Sequence, residues 1–348
     1  MKPRARPLIR DMTKISVLDL IPVASDQRVP EALASAREFI AAADRLGYHR
    51  YWVAEHHNTE AIASTSPAVV LANLGTATER IRLGSGGVML PNHSPLIVAE
   101  QFALLEGMFP GRVDVGLGRA PGTDPITARA LRRDMSREAV DRYPSDVIEL
   151  AGYLGDVREQ VDAGIFEKLK AAADLEHRPE IWLLGSSLYS AELAGLLGLP
   201  FSYANHFAMG QNAVGALQHY REHFTPSPVL DKPRAMVSAT VLVADSLEEA
   251  RALDLPTRVN RYELMAGKLG RLKSPEEARE FAERVEATEI WHRSSGSQHV
   301  GPIQLVANGI RALRDQTGAD EIMLQANGHD VATRIRSITE IAEALELS

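Results

Sequence analysis

The sequence predicts an α/β fold, a (β/α)8 TIM barrel with an insertion before its last strand. Short apolar runs alternate with amphipathic stretches from one end of the chain to the other, which gives eight strand–helix units. The chain has 348 residues, which is long enough for one such barrel. Glycines and polar residues follow the predicted strands, where a barrel of this type places its active site. A Rossmann-like pair of domains, built on an open sheet, is the alternative.

The first four units follow one another with short connections. Strands are predicted at residues 15–20, 51–55, 81–90 and 113–118, and helices at 30–46, 66–78 and 95–108. Pro30 lies in the first turn of the first helix and Gly47 follows its end, as helix termini prefer. Pro110 and Gly111 close the third helix.

The second half of the chain predicts four more strands. They lie at 181–184, 201–204, 235–243 and 321–325, with helices that end at Gly198 and that span 211–224, 303–316 and 331–345. A mostly polar stretch at 120–178 has helical patterns near 128–151 and 156–175. Ser246, followed by Glu248 and Glu249, is typical of a capped helix start.

Two segments are predicted to stand apart from the regular units. Residues 254–300 are rich in Arg, Glu, Ser and Gly, and we expect an insertion there, helical in parts, that serves as a lid. The basic start, MKPRARPLIR, is interpreted as part of a flexible tail at 1–13 and not as a signal peptide. The expected organisation is one domain over 1–348.

Composition excludes several function classes. The formal net charge of −8 has the wrong sign for a nucleic-acid binder. No apolar run is long enough for a membrane span, so no membrane contact and a cytoplasmic location are expected. Cysteine is absent, which excludes disulfides, thiolate nucleophiles and sulfur-ligated metals. Any redox chemistry must therefore come from a bound cofactor.

The third predicted strand contains three glycines. The stretch 81–95 reads IRLGSGGVMLPNHSP, with Gly84, Gly86 and Gly87 inside the strand. Glycine weakens a strand, because it loses much backbone entropy and has no side chain to pack. Its presence indicates a bulge, a special backbone geometry or the close approach of another molecule. A softened strand without a ligand is the alternative.

Polar residues gather where the predicted strands end. Strand two ends in Glu55, His56 and His57, and His206 and Phe207 follow strand six. Adjacent strand residues point to opposite faces, so His56 and His57 are not expected to share a metal, and no metal site is predicted. A pocket histidine is expected to act as acid/base or hydrogen-bond donor. A histidine that only holds the following loop is the alternative.

Two further strand ends are suited to a phosphate. The run GLGRAPG at 116–122 fails as a dinucleotide fingerprint, because its third glycine is late and Pro121 replaces the helix start. Arg119 remains as a cation at a strand end, with a surface ion pair as the alternative. Residues 185–190, GSSLYS, lead into a helix whose free N–H groups bind anions, with a plain N-cap as the alternative. Together they predict a two-sided phosphate clamp.

Six stretches resemble the bacterial luciferase-like flavin monooxygenases. They are YWVAEHH at 51–57, GSGGVMLPNHSP at 84–95, GRVDVGLGR at 111–119, GSSLYS at 185–190, PFSYANHF at 200–207 and DEIM at 320–323. The resemblance covers nearly the whole chain, is weakest at about 254–300, and is closest to the small single-chain bacterial members. It implies a TIM barrel, in agreement with the strand count. It also implies a homodimer.

The resemblance implies a monooxygenase that uses reduced FMN and O₂ on a small organic substrate. A separate NAD(P)H:flavin reductase is the expected partner and source of reduced FMN. A deazaflavin (F420) oxidoreductase of the same superfamily is one alternative. A metal-dependent TIM-barrel hydrolase that uses His56 and His206 is another, and a flavin-binding protein without turnover is the third.

The family's site residues carry over to individual positions. His56 and Glu55 are implied to be catalytic. The implied FMN-binding residues are Gly86, Gly87, Arg119, Ser186, Ser187 and Ser190, and the expected substrate contacts are His57, Asn92, His206 and Phe207. A non-prolyl cis peptide is implied at Gly86–Gly87. Luciferase has a glutamate at the position of Ser186 and a reactive cysteine at that of Gly118, so light emission is not predicted.

Overall fold

Parallel strands follow one another around a ring that the last strand closes. A computed structural model describes residues 14–120, 122–131, 136, 141–157, 163–171, 175–206, 212–294 and 298–347. Its strands are β1 (Lys14–Asp19), β2 (Arg50–Val53), β3 (Arg82–Ser85), β4 (Val88–Met89), β5 (Val113–Gly118), β6 (Glu180–Gly185), β7 (Phe201–Tyr203), β8 (Ala235–Val243), β9 (Gln298–Gly301) and β10 (Glu321–Ala326). β10 pairs in parallel with both β8 and β1. β3 and β4 both pair with β5 and share one barrel position, so the predicted eight-stranded barrel is confirmed.

Helices connect the strands on the outside of the ring. They are α1 (Val29–Arg45), α2 (Pro67–Leu74), α3 (Pro95–Met108), α4 (Pro125–Leu131), α5 (Tyr143–Tyr153), α6 (Ala163–Lys168), α7 (Leu188–Leu196), α8 (Ala213–Glu222), α9 (Leu247–Met265), α10 (Pro275–Val285), α11 (Glu289–Arg293), α12 (Ile303–Thr317) and α13 (Val331–Ala344). The Ser246 side chain accepts the N–H of Glu249, as the predicted cap requires. Within the described ranges, none of these helices is long and apolar enough to cross a bilayer.

The region before the last strand differs in detail from the expected insertion. α9 runs without a break through residue 254, where the insertion was predicted to begin. β9 pairs in parallel with Thr240–Val243 at the end of β8 and lies outside the closed ring. Apolar side chains of α9, α10 and α11 form a small separate core, Val259, Ala278, Ala282 and Trp291. The predicted flexible tail at 1–13 lies outside the described residues.

Apolar side chains on both faces of the strands stabilise the barrel. Val17, Tyr51 and Leu83 are fully buried in the core that joins the strands to the helices. A second cluster, Leu18, Trp52, Trp182, Met236 and Met323, comes from neighbouring strands. Val17 and Leu18 fall in different clusters because successive strand residues point to opposite faces. Full burial of each large apolar side chain contributes about 1.5–3 kcal/mol.

A buried ion network lies at the amino ends of the strands. The Arg50 guanidinium is 2.8 Å from Asp114, 2.9 Å from Glu180 and 3.0 Å from Glu321. Burial raises the pKa of Glu180, but Arg50 and Arg234 outweigh this effect and hold it at about 2. Arg50, Glu180 and Glu321 are the first residues of β2, β6 and β10. The network therefore fills one end of the barrel and leaves the carboxyl ends of the strands for a binding site.

Candidate active site

A cavity of about 830 Å³ opens at the carboxyl ends of the barrel strands. The predicted site residues that line it are His56, His57, Gly86, Gly87, Arg119, Ser186, Ser187, Ser190 and His206. They come from the ends of the second, third, fourth, fifth and sixth barrel positions, so the closed ring brings them to one rim. A cavity of this volume is typical of small-molecule and cofactor sites.

The floor of the cavity is apolar and carries the two adjacent glycines. Leu18, Trp52, Leu184 and Met323 contribute side chains to it. The peptide bond between Gly86 and Gly87 is cis, as predicted. A Cβ at position 86 would lie 2.7 Å from Leu18 Cδ1, and one at position 87 would lie 2.7 Å from the carbonyl oxygen of Gly116. Side chains at these positions would meet neighbouring protein atoms, so packing alone accounts for both glycines, and the close approach of a ligand stays a prediction.

Gly84 has a different reason for being glycine. A Cβ there would clash with Nε1 of Trp52, whose N–H donates to Asp114 at 3.0 Å. Packing against the indole, and not a ligand, accounts for this position. The chain then breaks between β3 and β4, so the single strand predicted at 81–90 is wrong in detail.

A cation and two hydroxyl groups lie at one side of the cavity. Ser187 is the N-cap of α7, and its Oγ accepts the N–H of Ser190 at 3.4 Å. The two hydroxyl oxygens are 3.3 Å apart. A Cβ at Gly185 would clash with the Ser190 side chain, so this glycine makes room for the hydroxyl. The Arg119 guanidinium lies 4.2 Å from the centre of the Tyr189 ring. Tyr189 directly precedes Ser190, so the cation lies beside this turn.

His56 and His206 line the same cavity as neutral side chains. Burial lowers the pKa of His56. Burial also lowers the pKa of His206 to about 4, and the nearby His56 adds to this effect. The Nδ1 atom of His206 is 2.6 Å from Oγ of Ser238. A neutral imidazole is able to accept a proton or to donate its remaining one, as acid/base chemistry requires.

Glu55 lies behind the cavity wall. Its side chain is 1% exposed, and Oε1 accepts from Nε2 of both His57 and His93 at 2.8 Å. The N–H of Met89 donates to Oε2 at 3.1 Å. Burial raises the pKa of Glu55, but these hydrogen bonds lower it by more and keep the carboxylate ionised. The carboxylate contacts two histidines and is absent from the cavity lining, so we propose that Glu55 positions these side chains, and direct catalysis by Glu55 stays a prediction.

Glu55, His57 and His93 are also three potential metal ligands within 4.8 Å of one another. His93 is 38 residues from Glu55 in the chain, so no metal-ligand spacing in the sequence brings it to this point. Both imidazoles donate to the same carboxylate oxygen, an arrangement that hydrogen bonding explains. His56 and His206 belong to no such three-ligand group in the described part of the chain.

Among the predicted substrate contacts, His57 and His206 line the cavity, whereas Asn92 does not. Asn92 is buried in a short 3-10 turn, Leu90–Asn92, and is absent from the lining, so its substrate contact stays a prediction. Phe207 lies outside the described residues. The sequence missed Ser238 and Lys268, which both line the cavity. Ser238 could have been found in the sequence as a polar residue within the apolar run of β8. Lys268 follows α9 in a segment without a clear pattern.

Comparison with known proteins identifies a family. The chain matches the family described as luciferase-like monooxygenase over residues 13–321. A protein named luciferase-like monooxygenase from Escherichia coli K12 is 41% identical over 323 residues, 92% of this chain and 94% of that one. The N-acetyl-S-alkylcysteine monooxygenase of Bacillus subtilis 168 is 32% identical over 276 residues, 79% of this chain and 80% of that one.

Solved structures share the fold. The apo form of MsnO8 has a TM-score of 0.85 at 33% identity and covers 97% of this chain and 99% of its own. The oxygenating constituent of 3,6-diketocamphane monooxygenase from Pseudomonas putida, in complex with FMN, has a TM-score of 0.66 at 19% identity, with 96% and 98% covered. An F420-dependent secondary alcohol dehydrogenase has a TM-score of 0.64 at 18% identity, with 96% and 99% covered.

Proposed function

Because the chain belongs to the luciferase-like monooxygenase family, we propose that it binds reduced FMN and uses O₂ to oxidise a small organic substrate. A separate NAD(P)H:flavin reductase supplies the reduced FMN. Family members include FMN- and F420-dependent proteins. The family alone therefore does not select the cofactor, and the choice of FMN is part of the proposal. The observation that carries it is a single cavity lined by Gly86–Gly87, Arg119, the Ser187–Ser190 turn and His56.

The residues of the cavity fit the two chemically distinct ends of FMN. The planar ring requires an apolar surface that its face can approach, and the floor at Leu18, Gly86 and Gly87 offers one. The phosphate requires a cation and N–H or O–H donors, and Arg119 with the first turn of α7 offers them. Gly185 keeps the Ser190 hydroxyl in this turn.

Bound flavin supplies the electrons that activate O₂, and the protein supplies position and proton transfer. The neutral imidazole of His56 holds or delivers a proton at the cavity wall. His206, fixed by Ser238, provides a second polar group for the substrate. The apolar floor limits water near the reacting atoms. Leu264 and Lys268, at and after the end of α9, line the open side and correspond to the proposed lid.

We also propose a homodimer that forms through α2 and α3. Both helices expose large apolar side chains, Val69, Ile97, Leu104 and Met108. An exposed apolar surface of this kind favours association with another protein surface. Light scattering during size-exclusion chromatography is expected to give the mass of two chains, and a monomer mass at micromolar concentration would contradict the dimer.

Anaerobic titration tests the cofactor assignment. Reduced FMN is expected to bind saturably with one site per chain and then to consume O₂ together with a substrate. F420 is the comparison ligand, because an F420-dependent dehydrogenase has the same fold as this chain. Such an enzyme transfers hydride without oxygen. Preferred binding of F420, or no saturable binding of FMN in either redox state, would contradict the proposal.

A further inference from the structure

A second group of potential metal ligands lies between two helices on the outside of the barrel. Glu192 of α7 and His219 and His223, in and just after α8, offer ligand atoms that all lie within 4.8 Å of one another. We propose that these three residues form a site for a divalent cation of the Zn²⁺ type, which links α7 to α8. The proposal does not depend on the flavin assignment.

Helix geometry places the two histidines on one side of α8. His219 and His223 are four residues apart, so their side chains are neighbours on the same helix face. Their ring centres are 4.1 Å apart. α7 packs against α8 and contributes Glu192, whose Oε2 is 3.2 Å from Nε2 of His219. This pattern joins a helical pair of imidazoles to one carboxylate, the donor set of many zinc sites.

The hydrogen bond of His223 leaves the correct nitrogen for a metal. Its Nδ1 is 2.9 Å from the carbonyl oxygen of His219, and a carbonyl only accepts, so Nδ1 carries the proton. Nε2 then presents a lone pair. Metal-binding histidines commonly donate their other ring N–H to a backbone carbonyl, which fixes the tautomer and the ring orientation. The same contact therefore prepares His223 as a ligand.

The distances distinguish this group from the one beneath the cavity. Ligands of a tetrahedral zinc with bonds of about 2.0–2.1 Å are about 3.3 Å from one another. Nε2 of His219 and Oε2 of Glu192 form a hydrogen bond of 3.2 Å, close to that value, so an ion that displaces the shared proton needs little movement of the two atoms. At Glu55, two imidazoles donate to one oxygen at 2.8 Å, which is shorter than the spacing of two zinc ligands. One pair of the outer group therefore already has the spacing of a ligand set.

The surroundings allow an ion to enter and to keep one exchangeable ligand. The Glu192 side chain is 47% exposed and that of His219 is 25% exposed. A cavity of about 390 Å³ borders His219, so water is able to occupy a fourth position. Nitrogen and carboxylate donors favour Zn²⁺, Co²⁺ or Ni²⁺ over Mg²⁺ and Ca²⁺. Because the chain has no cysteine, no thiolate competes for the ion.

Metal titration of the untagged, metal-free full chain tests the site. Zn²⁺ measured by calorimetry is expected to bind with one high-affinity site per chain and to raise the melting temperature. His219→Ala, His223→Ala and Glu192→Gln are each expected to weaken Zn²⁺ binding by at least about tenfold. His177→Ala is the matched control, because His177 is exposed elsewhere on the surface and should leave binding unchanged.

Other outcomes would overturn the site. Absence of saturable Zn²⁺ binding would do so, and so would unchanged affinity in both histidine variants. Loss of binding in His93→Gln but not in His219→Ala would move the ion to the group beneath the cavity. Circular dichroism checks that each variant is folded, and if a histidine variant is not, the exposed Glu192→Gln decides. Anomalous scattering from a Zn²⁺-soaked crystal locates the ion independently.

Discussion

His56 and Glu55 are adjacent in the chain but have separate tasks. His56 lines the cavity with a pKa that burial lowers, so its imidazole is neutral near pH 7. Glu55 is absent from the cavity lining, and its Oε1 accepts from His57 and His93. We propose that His56 transfers protons and that Glu55 orients the neighbouring side chains.

Replacement of His56 tests the acid/base role. His56→Asn keeps a polar group of similar size but removes the titrating nitrogen. We expect kcat on a responsive substrate to fall by about 10²-fold or more, with the dissociation constant for reduced FMN unchanged. Steady-state oxygen consumption and anaerobic fluorescence titration measure the two quantities. Full activity in His56→Asn would contradict the assignment, and His177→Asn serves as a surface control.

Replacement of Arg119 tests the phosphate end of the cavity. Arg119→Met keeps much of the side-chain length and removes the charge. A lost charge-assisted hydrogen bond corresponds to about 1.5–3 kcal/mol, so FMN should bind about 10- to 100-fold more weakly. Riboflavin lacks the phosphate and should bind Arg119→Met and the unaltered chain equally. Equal losses for both ligands would place Arg119 at the ring, and Arg129→Met is the surface control.

Several cavity residues were predicted, whereas their partners were not. His56, Arg119 and Ser190 stand directly at strand or helix ends, where chain order alone places them on the rim. His93 reaches Glu55 only because β2 and β3 are neighbours and the chain turns sharply after β4. Asn92, one residue away, is buried instead. Side-chain direction in a turn depends on local backbone geometry, which periodicity does not encode.

At the scale of elements, the strand–helix connection at 185–190 is the most informative. β6 ends at Gly185, and Ser187 is the N-cap of α7. The N–H of Ser190 donates to the Ser187 hydroxyl. The sequence predicted this turn because small hydroxyl residues after an apolar strand are typical of helix starts. It did not predict β9, because four residues after a polar region carry no periodic signal. That strand is stabilised by its pairing with β8 and not by local propensity.

Substitution of glycine tests the turn. Gly185→Ala places a methyl group against the Ser190 side chain, so the hydroxyl must shift and FMN affinity should fall by about tenfold. Gly107→Ala is the matched control, because the same methyl group meets no atom within 4 Å in α3. We expect Gly107→Ala to stabilise the fold by about 0.5–1 kcal/mol and to leave FMN binding unchanged. FMN binding by Gly185→Ala at normal affinity would contradict the phosphate role of this turn.

At the scale of the whole molecule, the barrel has an ionic end and a binding end. Arg50 joins Asp114, Glu180 and Glu321 from separate strands at the amino ends. The cavity occupies the other end. Barrel closure was predictable from eight alternating units, because this number and length of units fit one architecture well. The network was not, because its four residues are far apart in the sequence and meet only in the closed ring.

Removal of Arg50 tests the ionic end. Arg50→Met leaves buried carboxylates without their cation and should lower the free energy of unfolding by about 3–5 kcal/mol. Arg336→Met removes a half-exposed arginine that pairs with Asp245, Glu249 and Glu340, and should lower it by at most about 1 kcal/mol. Urea unfolding measures both. Equal losses in the two variants would contradict the structural role of the buried network.

The most direct test of the central claim is a crystal structure of the chain with FMN. The account predicts the phosphate within hydrogen-bonding distance of Arg119 and of Ser187 or Ser190, with the ring face against Gly86–Gly87 and His56 at the reacting edge. A phosphate held by Lys268 at the open side, or a ring that does not contact Gly86–Gly87, would contradict it.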